Sequence, residues 1–591
     1  MPLPTTEFVA PISLQDIYQQ VLSSRDSYVA LDTETNGLRW MAGDKAFGIA
    51  LAWDNKTVFL RNDEFGRDNI GRLIRDIFSS PKTILFHNAN FDLHIIRVTY
   101  GIESPPSKMI DTLIVAHLLD SAADHSLKNW GEKEFGSAVS YHEGVVNEYK
   151  KRYKIKDYSL LPPSILDPYA CQDTVLTKAL AFRFVSSAQT QFPKWFEIEH
   201  SLVPIILDME RGGIKIDLEY ITQFRKKLAA KKYGIEKELF SLIGKILNPA
   251  SPPQVADYFY TRLRLNIEGE AKNTADDVLK QIVALPDQPM ASRVAQLIMD
   301  WRESNKTDTT YLEPYIKLHV GGRIHPHFNQ MGTITTRFSS SAPNVQNLPR
   351  NDEFRRIFLP DSEFIDLDYS QLEYRLFAHA VQEPAMIDAF IQGHDFHAFT
   401  ASQIYQKDIT LIDKKSRDRD IAKNFNFLVI YQGGAERGAK TANITIDESA
   451  QFLEAYWSLY PRAKRWVRST INQGTRDGHV YSLLGHRIPL RDRAYAAPNY
   501  IVQSTAGGVL KIALARIGPI VKSAGGRIPN TVHDQGLLDD VDRSIIPLVV
   551  EAMEDFKFSV PIVVDVKSSK LNWGSMEEWT AEEKYSGIRK S

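Results

Sequence analysis

Asp32 and Glu34 stand in the run Leu31-Asp32-Thr33-Glu34-Thr35. Strand side chains alternate, so positions two apart share a face and the two carboxylates can hold one divalent cation. Taken singly, such a pair reads more readily as an acidic turn after a buried strand. Further along, Phe86-His87-Asn88-Ala89-Asn90-Phe91-Asp92 puts Asp92 where a strand gives way to a helix. Tyr169 and Asp173, in Tyr169-Ala170-Cys171-Gln172-Asp173, lie one helical turn apart. Four carboxylates and a phenol in this order suit phosphodiester hydrolysis. Two hard cations about 3.5 to 4 Å apart generate a hydroxide and stabilise the leaving oxygen, and a phenol can position the attacking water. Asp111, heading an apolar run, reads as a helix cap rather than a fifth ligand.

A second set lies beyond residue 360. Phe364-Ile365-Asp366-Leu367-Asp368-Tyr369 reads as a buried strand that delivers carboxylates to its end, followed by a helix carrying Glu373. Asp366 and Asp368 share a face, and spacing alone does not say which of them binds metal. Val532-His533-Asp534-Gln535 reads as a short apolar strand bearing another carboxylate, with a polar hairpin turn as the competing reading. Between them, Arg419, Lys423, Phe427 and Tyr431 recur every four residues along one helical stripe. A cationic stripe is usually just a solvated face, but such a face has little reason to continue into aromatics. Triphosphate clamping combined with base stacking does need that combination.

These residues must be held by several domains, because 591 residues exceed the size at which single cores stop growing. The first 190 residues alternate strand and helix, with apolar runs Tyr28–Leu31, Phe47–Trp53 and Thr83–Phe86, which predicts an α/β domain. From about Trp195 to Tyr315 the pattern turns helical and charged, as in Lys226–Lys245 and Ala291–Lys306, and predicts a protruding helical element. From Arg323 onward, short strands such as Phe364–Asp368 and Thr531–Leu538 bracket a mainly helical middle between Glu383 and Arg476. With 43% hydrophobic and 24% charged residues, the composition is that of an ordinary globular protein. No apolar run reads as a membrane span, and Met1–Gln20, carrying Glu7 and Asp16, does not read as a leader. Cys171 is the single cysteine, which excludes an internal disulfide or a cysteine-based zinc site and fits a reducing, cytoplasmic compartment. A net charge of −2 neither requires nor excludes nucleic acid.

The first set resembles the proofreading exonucleases with three Asp, one Glu and a Tyr, all five positions being filled here. The second resembles the three motifs of family A DNA polymerases, the family of bacterial DNA polymerase I and many phage replicases. Supporting stretches are Thr336-Arg337 through Asn344, Gln346 and Asn347, Asp395-Phe396-His397, and Asn499 to Gln503. The resemblance implies an α/β and α+β multidomain chain, an RNase H-like exonuclease domain followed by a right hand of palm, fingers and thumb. The expected bounds are 1–190 for the exonuclease, 191–325 for the start of the palm and the helical thumb, 326–382 and 499–591 for the palm, and 383–498 for the fingers. It selects Asp368 over Asp366. Asp368, Asp534 and the Tyr369 carbonyl would hold two Mg²⁺ ions, for which Mn²⁺ can substitute. Asp32, Glu34, Asp92 and Asp173 would hold two more, with Tyr169 as the water-positioning phenol.

The same resemblance gives Arg419 and Lys423 the triphosphate, with Lys423 able to protonate pyrophosphate. Phe427 would pack against the sugar, and Phe in place of Tyr there implies poor use of dideoxynucleotides. Glu373 would bar a ribose 2′ hydroxyl, and Tyr431, His397 and Gln371 would complete the nucleotide site. Arg337, Gln503 and Asn499 would read minor-groove acceptors nearly common to all base pairs, with Asn344, Gln346, Asn347 and His533 also on the DNA. One departure stands out. The family usually has Glu after the Asp of its third motif, where this chain has Gln535, and altered metal dependence is expected rather than loss of activity. Expected partners are primer-template DNA, dNTPs, a single-stranded 3′ end and replisome proteins, with no membrane and a monomeric chain of modest processivity. No room is left for a 5′ nuclease domain. A single-subunit RNA polymerase, a silent DNA-binding scaffold and an enzyme that is chiefly an exonuclease remain as alternatives; Glu373 and the filled exonuclease set weigh against the first two.

Overall fold

The computed structural model describes residues 3, 6–9, 13–267 and 272–586. Expectations about the first 20 residues fall partly outside these. Near the N-terminus a six-stranded sheet runs in the order Glu7–Phe8, Lys56–Arg61, Ala46–Trp53, Tyr28–Thr35, Thr83–Phe86, Met109–Asp111. Ala46–Trp53 is antiparallel to both its neighbours, and the other pairings are parallel. Helix Pro163–Gln191 crosses one side of this sheet, contacting Tyr28–Thr35 and Ala46–Trp53, while Ala89–Tyr100 also packs on Tyr28–Thr35. Ala46–Trp53 is apolar throughout because helices cover it, whereas Tyr28–Thr35 is apolar only as far as Leu31 and ends in Asp32-Thr33-Glu34-Thr35. Lys56–Arg61 and Met109–Asp111 carry apolar runs too short to stand out in the sequence.

Helix Pro193–Gly212 joins this domain to the rest and is buried on both sides. Its Glu199 pairs with Lys511 at 2.7 Å, both inaccessible, and its Glu210 receives His94 at 2.6 Å and the Phe328 amide at 2.6 Å. A broken buried pair of this kind costs about 3–5 kcal/mol. The two halves are therefore fastened by the enclosed ion pair Glu199–Lys511 and by the enclosed hydrogen bonds to Glu210. Beyond it, Leu218–Ile243 and Pro289–Lys306 pack along each other around a separate apolar cluster that includes Leu239, Phe259, Leu279 and Ile298. This is the helical arm that the charged, periodic sequence predicts.

The second sheet is wholly antiparallel, in the order Arg527–Val532, Gln535–Asp539, Phe364–Tyr369, Val564–Ser569, Glu577–Glu578. One expectation is corrected here. The apolar stretch Thr531–Leu538 is a hairpin of two strands, with Val532 opposite Gln535 and His533 at φ +57° in the connection. Two-residue connections take left-handed backbone because it matches the twist of the flanking strands, and Asp534 thus sits in a turn. The intervening residues are helical, among them Leu372–Val381, Phe396–Tyr405, Arg417–Ile430 and Pro461–Asp477. A second correction concerns membranes. Ala494–Ser523 is long and apolar enough to cross one, yet 78% of its apolar window is buried inside the protein, so it is read as a core helix.

Candidate active sites

In the N-terminal domain, strand Tyr28–Thr35 brings Asp32 and Glu34 to one face, opposite Ala50 and Gly48. Asp92 lies inside the first turn of Ala89–Tyr100 and is buried. Thr33, between the two strand carboxylates, donates to the same Asp92 oxygen from its amide at 3.0 Å and its hydroxyl at 2.7 Å. Asp111 caps helix Thr112–Leu119 through the Leu113 amide at 2.9 Å, and it also accepts from Asn88 and Ala89 at 2.9 and 2.8 Å. One carboxylate thereby secures the start of both helices. Tyr169 and Asp173 share helix Pro163–Gln191. Burial pushes Asp32 up to about 7, against the opposing pull of Lys128. Glu34 and Asp92 are pushed well up, first by burial and then by the Asp32 charge.

Sequence reasoning missed Lys128. Its ammonium pairs with Asp173 and lies 4.9 Å from the centre of the Tyr169 ring. Burial brings it down to about 8, while Glu143, Asp32 and Glu34 hold it up. Nothing in Ser126-Leu127-Lys128-Asn129 marks it, because the topology alone sets it among carboxylates from three other elements.

In the second sheet, Asp368 ends strand Phe364–Tyr369 with Gln535 opposite on one side and Asp565 on the other. Asp534 follows in the adjoining turn, and the Tyr369 amide donates to its carbonyl at 3.3 Å. Asp368 is exposed, but its surroundings push it up to about 8, through burial of its carboxyl first and then the charges of Asp534, Asp366 and Asp565. Asp534 is also raised by burial, with Arg337 and Arg350 opposing. Asp366 is 3% exposed and faces inward. Gln535 does not turn toward Asp368: its amide nitrogen reaches both oxygens of Asp366, and the Trp573 indole donates to the same carboxylate at 3.0 Å.

Helix Arg417–Ile430 presents the predicted stripe. Arg419 is held by Asp395 at 2.7 and 3.2 Å, Lys423 is exposed, and Tyr431 at the C-cap receives Gln503 at 2.9 Å. Phe427 meets Tyr374 edge to face at 5.0 Å, beside His397. His397 is buried against Asn426 at 3.0 Å, and burial brings it down to about 4. Gln371, at φ +50°, accepts from the Phe396 amide at 3.3 Å, joining the two helix starts. Glu373 pairs with Arg337, so both face the same space as Tyr431, whose phenol is raised by burial and then by Glu373. Half-buried His533 adjoins Asp534 in the turn. Asn499 is buried with an unpartnered carbonyl oxygen, and Asn347 is exposed. Asn344 closes a local turn on the Gln346 amide at 2.9 Å. Gln346 is 4% exposed and donates to the Thr531 carbonyl, bracing the hairpin.

Both carboxylate groups offer oxygen ligands alone, the donor set of hard cations; burial lifts the pKa of Asp32, Glu34, Asp92, Asp368 and Asp534, and neighbouring carboxylates add to it at Glu34, Asp92 and Asp368. Among the described residues no three His, Cys, Asp or Glu side chains stand close enough together to hold a metal ion.

Residues 218–575 match the model for DNA polymerase family A, and residues 9–189 match that for a 3′-5′ exonuclease. DNA polymerase I of Borreliella burgdorferi is 27% identical, over 96% of this chain and 64% of its own length. The thermostable DNA polymerase I of Thermus filiformis is 29% identical over 80% and 56%, and that of Thermus aquaticus 31% over 65% and 48%. The chain thus spans about half to two thirds of these relatives. Among solved structures, the POL domain of Pol1 from M. smegmatis, in complex with DNA primer-template and dNTP, matches with a TM-score of 0.81 at 22% identity, over 96% of this chain and 99% of that one. That likeness establishes the fold, an exonuclease-type sheet domain ahead of a right-hand polymerase. With the family model covering more than half its length, the chain belongs to DNA polymerase family A.

Proposed function

We propose that this chain extends a primer 3′ end with dNTPs under template direction and shortens mispaired ends with a separate 3′→5′ exonuclease site. The observation that carries the reading is the placement of Asp368 near the end of its strand beside Asp534 in the adjoining turn, in the same chain as the Asp32, Glu34, Asp92 and Asp173 group. Asp368, Asp534 and the Tyr369 carbonyl would hold Mg²⁺, or Mn²⁺ in its place; a pair of such ions stabilises the attacking and leaving oxygens of an in-line displacement. Arg419, preset by Asp395, and exposed Lys423 bind the triphosphate, and Lys423 passes a proton to the departing pyrophosphate. Phe427 packs on the sugar, Glu373 excludes the 2′ hydroxyl, and Tyr431 with His397 and Gln371 shapes the nucleotide pocket. Arg337, Gln503 and Asn499 read minor-groove acceptors, with His533, Asn344 and Asn347 along the primer. In the other site Asp32, Glu34, Asp92 and Asp173 would hold the ions and Tyr169 orients the water.

The domain bounds follow this reading: exonuclease 1–190, helical thumb within 191–325, fingers 383–498 and palm on either side of the fingers. DNA and dNTP as partners are supported by the complex in which the M. smegmatis structure was solved. A replication or repair role in the cytoplasm, as a monomer working beside replisome proteins, completes the proposal. The test is a 5′-labelled primer on a longer template with Mg²⁺. Extension with the four dNTPs and shortening without them are expected; shortening with no extension under any condition overturns the polymerase reading.

A further inference from the structure

Asn426 stands on helix Arg417–Ile430 between Lys423 and Phe427, yet it is wholly buried. Its amide nitrogen donates to Nδ1 of His397 at 3.0 Å. Behind it, the Thr400 hydroxyl lies 3.5 Å from both ends of the Asn426 amide and 3.1 Å from the Tyr460 hydroxyl, and Thr400 and Tyr460 are enclosed as well. Each hydroxyl has one proton to give. Tyr460 has no other side-chain partner among the described residues, so its proton goes to Thr400. The Thr400 proton then goes to the Asn426 oxygen, which leaves the Asn426 nitrogen for His397. A neutral imidazole has one donor and one acceptor nitrogen, and the bond made at one fixes the role of the other. With Nδ1 as the acceptor, the ring proton sits on Nε2. Among the described residues Nε2 has no partner, and it is not one of the enclosed unpartnered atoms. Tyr374 and Phe427 flank the ring at 5.0 and 6.2 Å between centres. Burial lowers the ring's pKa to about 4, with Asp395 opposing and Arg419 and Lys423 adding to the effect.

We infer that Asn426 is a positioning residue of the nucleotide site: it holds His397 in the tautomer and orientation that present Nε2–H, as a neutral donor, to a phosphate oxygen of the incoming triphosphate. This rests on the polymerase reading of the site. Arg419 and Lys423 recognise the same triphosphate by charge, and Arg419 is already held by Asp395. A neutral N–H adds direction without a third positive charge, because it bonds well only to an oxygen close to its own axis. The opposite tautomer turns a lone pair on the phosphates and repels them. Tyr460, Thr400, Asn426 and His397 thus form one chain in which each group gives its proton forward, ending at the open nitrogen. Asn426 touches no nucleotide and acts through the ring alone.

A spectrum and three substitutions test this role. In protein labelled with ¹⁵N-histidine, the His397 signals are those that His397→Gln removes, and they are expected to show Nε2 protonated and Nδ1 bare at neutral pH. An Nδ1–H tautomer or an imidazolium overturns the inference. In single-turnover primer extension, Asn426→Leu is expected to weaken dNTP binding about 10-fold, the low end for a hydrogen bond to a charged group, with most of the effect on the dNTP Kd rather than on the maximal rate. Thr400→Val keeps the shape and removes the hydroxyl behind the amide; it is expected to weaken dNTP binding about 3-fold. In the His397→Gln protein, where no tautomer has to be selected, Asn426→Leu is expected to change dNTP binding by less than about 2-fold. Unchanged dNTP binding in Asn426→Leu overturns the role, and where that variant does not fold, unchanged binding in Thr400→Val does so. An equal loss with and without His397 also overturns it, since Asn426 then acts by another path. A parent that incorporates no dNTP overturns the polymerase reading and this role with it, whereas incorporation by the parent with unaltered binding in the variants overturns the role alone.

Discussion

The two carboxylate groups solve the same electrostatic problem in opposite ways. The exonuclease group is enclosed, with Glu34, Asp92 and Asp173 all buried, and it carries its own counter-charge in Lys128 on Asp173. The polymerase pair sits at a strand end and in a hairpin turn, with Asp368 exposed and three further carboxylates weighing on it. Its candidate phosphate-binding cations, Arg419 and Lys423, stand on a separate helix, and Arg419 already has a partner in Asp395. One group carries an ammonium directly on one of its carboxylates, and the other feels Arg337, Arg350 and Lys567 only from its surroundings. Enclosure with an internal cation suits a site that must persist while idle, whereas an open, repelling pair suits one that assembles only around an incoming metal-bound triphosphate.

The comparison breaks most sharply if the two groups are not independent. Asp368→Ala is expected to lower primer extension on the order of 10³-fold or more, as loss of a group stabilising the transition state does. Shortening of the same labelled primer without dNTPs should remain. Asp32→Ala is expected to do the reverse by a similar factor. A variant that removed both activities would mean that the domains share a step, the enclosed contacts Lys511–Glu199 and His94–Glu210 being the route by which one could feel the other.

How far each group can be read from sequence follows from how it is built. Asp32 and Glu34, Tyr169 and Asp173, and the stripe from Arg419 to Tyr431 are legible because strand and helix periods place them without help from the rest of the chain. The domain order is legible for the same reason, since each change of hydrophobic period marks a change of element. Lys128 is not legible, because only the sheet topology brings it to Asp173. The same holds for Trp573, which reaches Asp366 from 207 residues away. The burial of Gln346 is not legible either. The residue stands in a polar run that reads as a surface, and only the hairpin packed over it shows that it is buried. The hairpin is legible only as the competing reading of Val532–Gln535, because His533 and Asp534 break an otherwise apolar stretch without glycine or asparagine at the turn itself.

The internal cation provides the next test. Lys128→Met leaves Asp173 without its partner among four raised or buried carboxylates. In the metal-free protein this is expected to cost roughly 2 kcal/mol, less than a fully buried pair because both groups keep some solvent. Denaturant unfolding of the parent and the variant measures it. Divalent ions should recover more stability in the variant than in the parent, since no ammonium then competes for Asp173. If the loss is equal with and without metal, Lys128 is packing and the contrast between the two groups fails.

The smallest expected effect concerns pH. Asp368 is held up to about 8 and Asp32 to about 7, against about 3.9 for aspartate in an unfolded chain. Between those limits the folded state binds more protons than the unfolded one, so stability falls as pH rises from about 4 to about 8. Metal-free melting temperature should therefore decline by a few degrees across that window. Ligated carboxylates are ionised, so saturating Mg²⁺ should flatten the slope. Asp368→Asn should remove the decline between about 7 and 8 and lessen it below, while Asp32→Asn should lessen it only below about 7. Asp368 and Asp32 then separate on a single titration, because the charges of Asp534, Asp366 and Asp565 add to burial at the first, whereas Lys128 pulls against burial at the second.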